Sequence, residues 1–225
     1  MTRLFVTSTG TGIGKTHVTA ALVHLAHAAG ASVRAIKPIV SGFDPASPEG
    51  SDPDQLAAAS GWTLDAETLD RISPWRYLAP LSPDMAAGRE GRAIELEAVI
   101  AFCRAALAGP EEHVLVEGVG GVMVPLEAGR TVRDWIAALD LPAVLVAGSY
   151  LGTLSHTLTA RLALADAGIA LRAIVVSESP DAPVPLAETV GALARLVESV
   201  PVLGLPRRAG IESWREAPEL SGLLG

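Results

Sequence analysis

Apolar residues along this chain gather in short continuous runs separated by longer stretches of helical periodicity. The runs are Leu4–Val6, Val33–Ile36, Val114–Val116, Ala143–Ala147, Ala173–Val176 and Val202–Leu203. Their brevity and continuity predict strands buried on both faces. Between most of them, apolar positions recur with a helical period over 14–29, 53–60, 93–108, 153–167 and 185–199. In the first of these helices the stripe is Val18, Leu22, Leu25, Ala26 and Ala29. His17, His24 and His27 fall on the opposite face, which is expected to be solvated and to hold no metal. Gly30 and Gly168 stand where helix C-caps belong. Alternating strands and helices predict an α/β fold of three layers, a mainly parallel sheet with helices on both faces. The segment 38–52, rich in Pro, Ser and Gly, reads as a loop, and 73–92, with Pro74, Pro80 and Pro83, as an irregular excursion. No repeat or linker composition divides the chain, so residues 1–225 are expected to form a single domain.

The first strand leads into the most informative stretch, T-S-T-G-T-G-I-G-K-T at Thr7–Thr16. Strand, glycine-rich turn, Lys-Thr and helix is the layout of a phosphate-binding loop. It turns backbone N–H groups and a helix N-terminus toward a polyphosphate. The contacting stretch is Gly12, Ile13, Gly14, Lys15, Thr16 and His17, with Lys15 on the β- and γ-phosphates and the Thr16 hydroxyl on Mg²⁺. The standard pattern has a glycine where this chain has Thr9, and its glycines sit at 10, 12 and 14. The alternative is a glycine-rich hairpin with no ligand. The position between strand and helix favours a fold of the P-loop NTPase type.

A nucleotide site needs an acid on the metal side. Val114-Leu115-Val116-Glu117-Gly118 delivers Glu117 at the carboxyl end of a buried strand, where ligands collect in open parallel sheets. Gly118, Val119 and Gly120 follow, and glycines there and at Gly121 permit close backbone approach. The second strand ends in Lys37, which points to the same crevice. In Ser51-Asp52-Pro53-Asp54-Gln55, Asp52, Pro53 and Gln55 fit the N-cap, N1 and N3 of a helix. That assignment gives Asp52 a structural role and leaves Asp54 for the metal.

A formal net charge of -8 argues against a nucleic-acid partner. Cys103 is alone, which excludes an intrachain disulfide framework and a cysteine-based zinc site, and its helical setting makes it a packing residue. No signal peptide and no membrane-spanning run is seen, so a cytoplasmic location is expected.

These residues, together with further signatures in the same order, resemble the dethiobiotin synthetase family. The further signatures are K-P-I-V-S-G at 37–42, D-Q-L at 54–56, P-L-S-P at 80–83, V-E-G-V-G-G at 116–121 and V-P-L at 124–126. D-W at 134–135, L-G-T-L-S-H at 151–156 and P-V-L-G-L-P at 201–206 complete the collinear match. The resemblance implies a ligase of biotin biosynthesis. It closes the ring of 7,8-diaminononanoate with CO₂ and ATP through a carbamate and a carbamic–phosphoric anhydride. Lys15 and Lys37 are the implied catalytic cations, and Thr16, Asp54 and Glu117 the implied Mg²⁺ ligands. Thr11, Ser41 and Gly118 match substrate contacts. A homodimer is implied, with substrate at the interface and its carboxylate on the helix N-terminus Gly152-Thr153-Leu154-Ser155 of the partner. The nucleotide base is expected against Ser177, Glu178, Pro206, Arg207 and Arg208.

The chain departs from the family pattern at several of these positions. Ser8 stands for Gly, Gly12 for the Glu of some members, and Ser155 for an Asn of L-G-x-x-N-H. Ser177 stands for an Asn that reads adenine, and a lone hydroxyl cannot make an amide's paired contacts. Two other readings are a non-biosynthetic ATPase switch and a nucleotide-binding regulatory domain. Partitioning ATPases of the same broad fold usually carry a lysine where this chain has Gly10, and a GTPase would show N-K-x-D, which is absent.

Overall fold

The computed structural model describes residues 1–197, 199–210 and 212–225. Strand β1 (Thr2–Ser8) shows how the layers arise. Its Leu4 and Val6 point to one face and Phe5 to the other, and all are buried. A strand apolar on both sides needs cover on both sides. The first cover is α1 (Lys15–Ala28), which leads to β2 (Val33–Ile36), β3 (Ile39–Ser41), α2 (Asp52–Ala59) and α3 (Ala66–Ile72). Next come β4 (Trp75–Tyr77), α4 (Pro83–Arg89), α5 (Leu96–Leu107), β5 (His113–Glu117), β6 (Pro125–Glu127), β7 (Arg130–Thr131) and α6 (Val132–Leu139). The chain closes with β8 (Ala143–Gly148), α7 (Thr153–Asp166), β9 (Leu171–Ser177), α8 (Leu186–Val197), β10 (Val202–Leu205) and two short 3₁₀ turns at Ser213–Glu216 and Pro218–Leu223.

The main sheet has the order β10-β9-β8-β1-β5-β2, and every pairing within it is parallel. All six apolar runs therefore lie in one sheet, as expected. One face packs on α1, α2 and the 3₁₀ turns, with Leu22, Leu56 and Trp214 buried. The other packs on α4–α8, with Ile100, Trp135, Leu164 and Leu193 buried. Phe5 meets Trp135 edge to face at 5.0 Å.

Several expectations are corrected. Helix α1 has more than a single apolar stripe, because Ala20, Ala21 and Val23 are buried as well. The C-terminal turns cover the flank that the wheel leaves to solvent, and His24 meets Trp214 edge to face at 5.7 Å. The loop 38–52 contains β3, and the excursion 73–92 contains β4 and α4, with β3 and β4 forming a small parallel pair. Helix α6 is short and was not anticipated; its Trp135, Ile136 and Leu139 fill the second layer. Residue 198, within the helix expected over 185–199, lies outside the described residues. Gly30 and Gly168 end their helices at φ 76° and 70°, a left-handed backbone that glycine adopts without a Cβ clash. Among the described residues no helix is long and apolar enough to cross a membrane.

Candidate active site

The carboxyl ends of β1, β2 and β5 meet at the turn after β1. Gly14 caps α1 at φ 101°, which only glycine adopts freely, and Val18 donates its N–H to the Gly14 carbonyl. The turn borders a cavity of about 590 Å³. Thr11, Gly12, Ile13, Gly14, Lys15, Thr16 and His17 line it, with Lys37, Ser41, Val119 and Gly120 opposite. The sequence thus foresaw most of this wall.

Both lysines are held by protein oxygens. The Lys15 ammonium donates to the Gly120 carbonyl at 2.8 Å, to Ser8 Oγ at 3.1 Å and to the Gly10 carbonyl at 3.2 Å. Ser8 is buried and occupies the position where the family pattern has glycine, so the departure supplies Lys15 with an extra acceptor. Burial, reinforced by the nearby Lys37 charge and partly offset by Glu117 and Asp52, pulls the Lys15 ammonium down to about 8. Lys37 donates to Glu117 Oε1 at 2.7 Å and to Thr16 Oγ1 at 3.2 Å, and pairs with Asp52. Its burial opposes protonation, but the two carboxylates outweigh it and raise its pKa. Thr16 Oγ1 in turn donates to Glu117 Oε1 at 2.7 Å.

The two aspartates are not placed as expected. Ser51, rather than Asp52, is the N-cap of α2, and its hydroxyl accepts from the Asp54 N–H at 3.4 Å. The helix therefore starts one residue earlier than the pattern suggested. Asp52 then lies in the first turn facing Lys37, which holds its carboxyl below the usual range despite partial burial. Asp54 turns away and accepts from the Gly50 N–H at 2.8 Å, and it does not line the cavity. The signal was present: Ser51 and Asp54 also fit the spacing of a capping box.

Gly118 is a packing position. A Cβ there would fall 2.8 Å from Phe5 Cε1, and Gly118 does not line the cavity. The walls also include Asp52 and Gln55, read in the sequence as helix-start residues, and Pro80–Pro83 and Val124, which entered only through the P-L-S-P and V-P-L signatures. Ser41 Oγ and Glu117 Oε2 are buried without a hydrogen-bond partner, so the site holds unsatisfied polar atoms.

A second cavity of about 360 Å³ adjoins the first across Gly12–Gly14 and His17. Ser177, Glu178, Pro206, Arg207 and Arg208, the residues expected against the nucleotide base, all line it. Ser177 Oγ lies 2.7 Å from where a Gly14 Cβ would stand, and Glu178 accepts from the Arg207 N–H at 2.9 Å. Arg208 is committed to Glu219 at 3.2 Å and to the Glu216 carbonyl. The stretch Gly152–Ser155 lies apart, at the N-terminus of α7, beside an apolar groove of about 650 Å³ between α7 and α8. Cys103 is fully buried, and burial pushes its thiol up to about 12, consistent with packing.

A protein from Acidiphilium cryptum named ATP-dependent dethiobiotin synthetase BioD is 47% identical over 202 residues, 89% of this chain and 91% of its own length. One of the same name from Caulobacter vibrioides (strain NA1000) is 49% identical over 208 residues, covering 92% and 93%. The chain belongs to the ATP-dependent dethiobiotin synthetase family. A family model described as an AAA domain also matches residues 2–212. Membership makes the chain an enzyme of the ligase class. Among solved structures it is similar to a ParA family ATPase from Chlorobium tepidum, with a TM-score of 0.56 and 16% identity over 100% of this chain and 97% of that one. The MinD cell division protein of Aquifex aeolicus gives a TM-score of 0.56 at 14% identity, covering 100% and 86%. At such identities these neighbours establish the P-loop fold alone.

Proposed function

We propose that the chain uses ATP, CO₂ and Mg²⁺ in the cytoplasm to close the ring of 7,8-diaminononanoate to dethiobiotin. The observation that carries this reading is the meeting of two buried lysines with Thr16 and Asp52 at one end of a cavity, with the fully buried Glu117 carboxylate bonded to Lys37 and Thr16 behind its wall. A carbamate and a triphosphate are both anionic, and bringing them together requires preorganised positive charge.

The donor set fits a divalent metal. Thr16 Oγ1, the Asp52 carboxylate and Glu117 are all oxygen ligands, as Mg²⁺ prefers, and Glu117 Oε2 is buried with no partner of its own. Asp52 takes the place first given to Asp54. When bound, Mg²⁺ would neutralise charge on the transferred phosphate. Lys15 and the N–H groups of Gly12–Thr16 hold the phosphates, and Lys37 stabilises the carbamate oxygen as it attacks the γ-phosphate. Ser41, with its free hydroxyl on the cavity wall, orients the diamine or its carbamate. The second amine then attacks the carbamoyl carbon of the mixed anhydride, and phosphate leaves.

The homodimer is part of the same proposal. Leu151 is 89% exposed and Leu162 63%, at and along α7, and Leu78, Met85 and Met123 are also exposed. Large apolar side chains left exposed in this way suit a subunit contact. Gly152 at φ 98° opens the first turn of α7, whose free N–H groups suit the substrate carboxylate.

The test is incubation with diamine, bicarbonate, Mg²⁺ and ATP, with dethiobiotin read by mass. Phosphate release should require both diamine and CO₂. Equal ATP turnover without either would establish a switch ATPase instead.

A further inference from the structure

Lys15 and Lys37 are the only lysines of the sequence; every other permanently basic side chain is an arginine. Arginine carries its charge on a broad planar fork, whereas lysine carries a compact point charge on a flexible stem. Lys37 uses that compactness. Its ammonium touches Glu117 Oε1, Thr16 Oγ1 and Asp52 Oδ2, and the residue is only 4% exposed. These are the same side chains whose oxygens suit a divalent cation.

We propose that the Lys37 ammonium and the divalent metal are alternative occupants of this cage. Metal entry expels the ammonium into the adjoining cavity, where it meets the anionic end of the substrate. This inference rests on the reading of the site as a metal–nucleotide site.

Electrostatics demands such an exchange. Glu117 is fully buried and Asp52 half-buried beside it, so the two carboxylates need a counter-cation between them, and Lys37 supplies it. A divalent ion on the same oxygens supplies more charge, and two cations sharing one set of ligands repel strongly at low dielectric. The fixed and movable parts of Lys37 are well separated. Its backbone is pinned, with its N–H on the Ile72 carbonyl at 3.0 Å and its own carbonyl accepting from Ser73 Oγ at 2.6 Å. The stem is free to swing, and Lys37 shares the cavity wall with Ser41. The unpartnered Glu117 Oε2 is the second sign, since the ammonium leaves one oxygen of a buried carboxylate unsatisfied. The consequence is order. While the cage lacks metal, Lys37 is engaged by carboxylates and withheld from the substrate; metal binding releases it.

Two measurements on the full chain test this, both without nucleotide or diamine. In protein labelled with ¹³Cε-lysine, NMR should show separate Lys15 and Lys37 signals, assigned with Lys37→Met. Titration with Mg²⁺ should move the Lys37 signal far more than that of Lys15. Mn²⁺ binding followed by EPR should be at least tenfold tighter in Lys37→Met than in the unmodified protein, because the competitor is gone. A Lys37 signal unmoved at metal saturation, or equal or weaker Mn²⁺ binding in a folded Lys37→Met, overturns the proposal. If that variant does not fold, the two signals are assigned with Lys15→Arg instead, and the response of the Lys37 signal in the unmodified protein decides alone. Dethiobiotin formation is assayed separately, so failure of the exchange and failure of the functional reading are distinguishable.

Discussion

The phosphate side and the base side of this site are built by opposite means. Around Thr16 the charges are buried and bonded to one another: Lys15, Lys37 and Glu117 are each no more than 6% exposed. Across Gly14, the wall of Ser177, Glu178, Arg207 and Arg208 is partly or largely exposed, and its bonds run to backbone or to the C-terminal turns. The first region is rigid and mutually compensated. The second is wetter, and its polar groups are less committed to a single ligand geometry. A buried charge network loses much when one member is removed, whereas an exposed wall tolerates change. The contrast predicts steep effects on one side and shallow ones on the other.

The steepest effect is expected at Asp52. Asp52→Asn should lower turnover on the order of 100-fold, the scale seen when a preorganised charge is removed from a reacting phosphate. Asp54→Asn should leave turnover nearly intact, since its carboxylate only closes a turn onto Gly50. Paired steady-state assays check this, and the reverse ranking would return the role to Asp54.

Next comes pH. Lys15 is held down to about 8, chiefly by burial, and its protonated form is the one that binds phosphate. Nucleotide affinity should therefore be constant below pH 8 and fall as pH rises through it, by up to about tenfold per unit. The sign for stability is opposite. The unfolded chain holds that proton more tightly, so the Lys15 contribution disfavours folding below about 8 and is relieved as pH approaches 10.5. Fluorescent-nucleotide titrations from neutral to alkaline pH would break the argument if affinity stayed flat.

A smaller effect is expected on the base side. Ser177 lines the second cavity with a single short hydroxyl. CTP or GTP should support turnover within about tenfold of ATP, a gap of roughly 1.4 kcal/mol. Ser177→Asn should widen the preference for ATP. Strict ATP use by the unmodified protein in competition assays would show that other groups read the base.

The smallest concerns Ser51, outside both networks. Its cap bond is long at 3.4 Å, so Ser51→Ala should cost only about 0.5 kcal/mol, the low end for an N-cap. Thermal melts with unchanged turnover would place it in the helix rather than in the chemistry.

Local pattern carried the β-strands, the phosphate turn, Lys37 and Glu117, because each depends on neighbours in sequence. Continuous apolar runs require a sheet covered twice, and a glycine turn before Lys-Thr places its residues by backbone geometry alone. What it misassigned shows where local information ends. Asp52 and Asp54 are two residues apart and chemically alike, and a one-residue shift of the helix start decides which faces the crevice. Three-dimensional packing decides which one faces it, because Asp52, in the first turn of α2, finds Lys37 just beyond the end of β2. That Gly118 also has a packing reason to be glycine, with Phe5 against it, is likewise invisible to local pattern. The solvated face expected for the histidines of α1 is partly covered by the C-terminal turns, where Trp214 meets His24 from far along the chain. The sequence by itself determined the sheet, the phosphate turn and the chemical types gathered at its edge, since these follow from periodicity and backbone sterics. Only the tertiary structure decided which acid meets which lysine, because a charge's partner is set by distance through space and not by position along the chain.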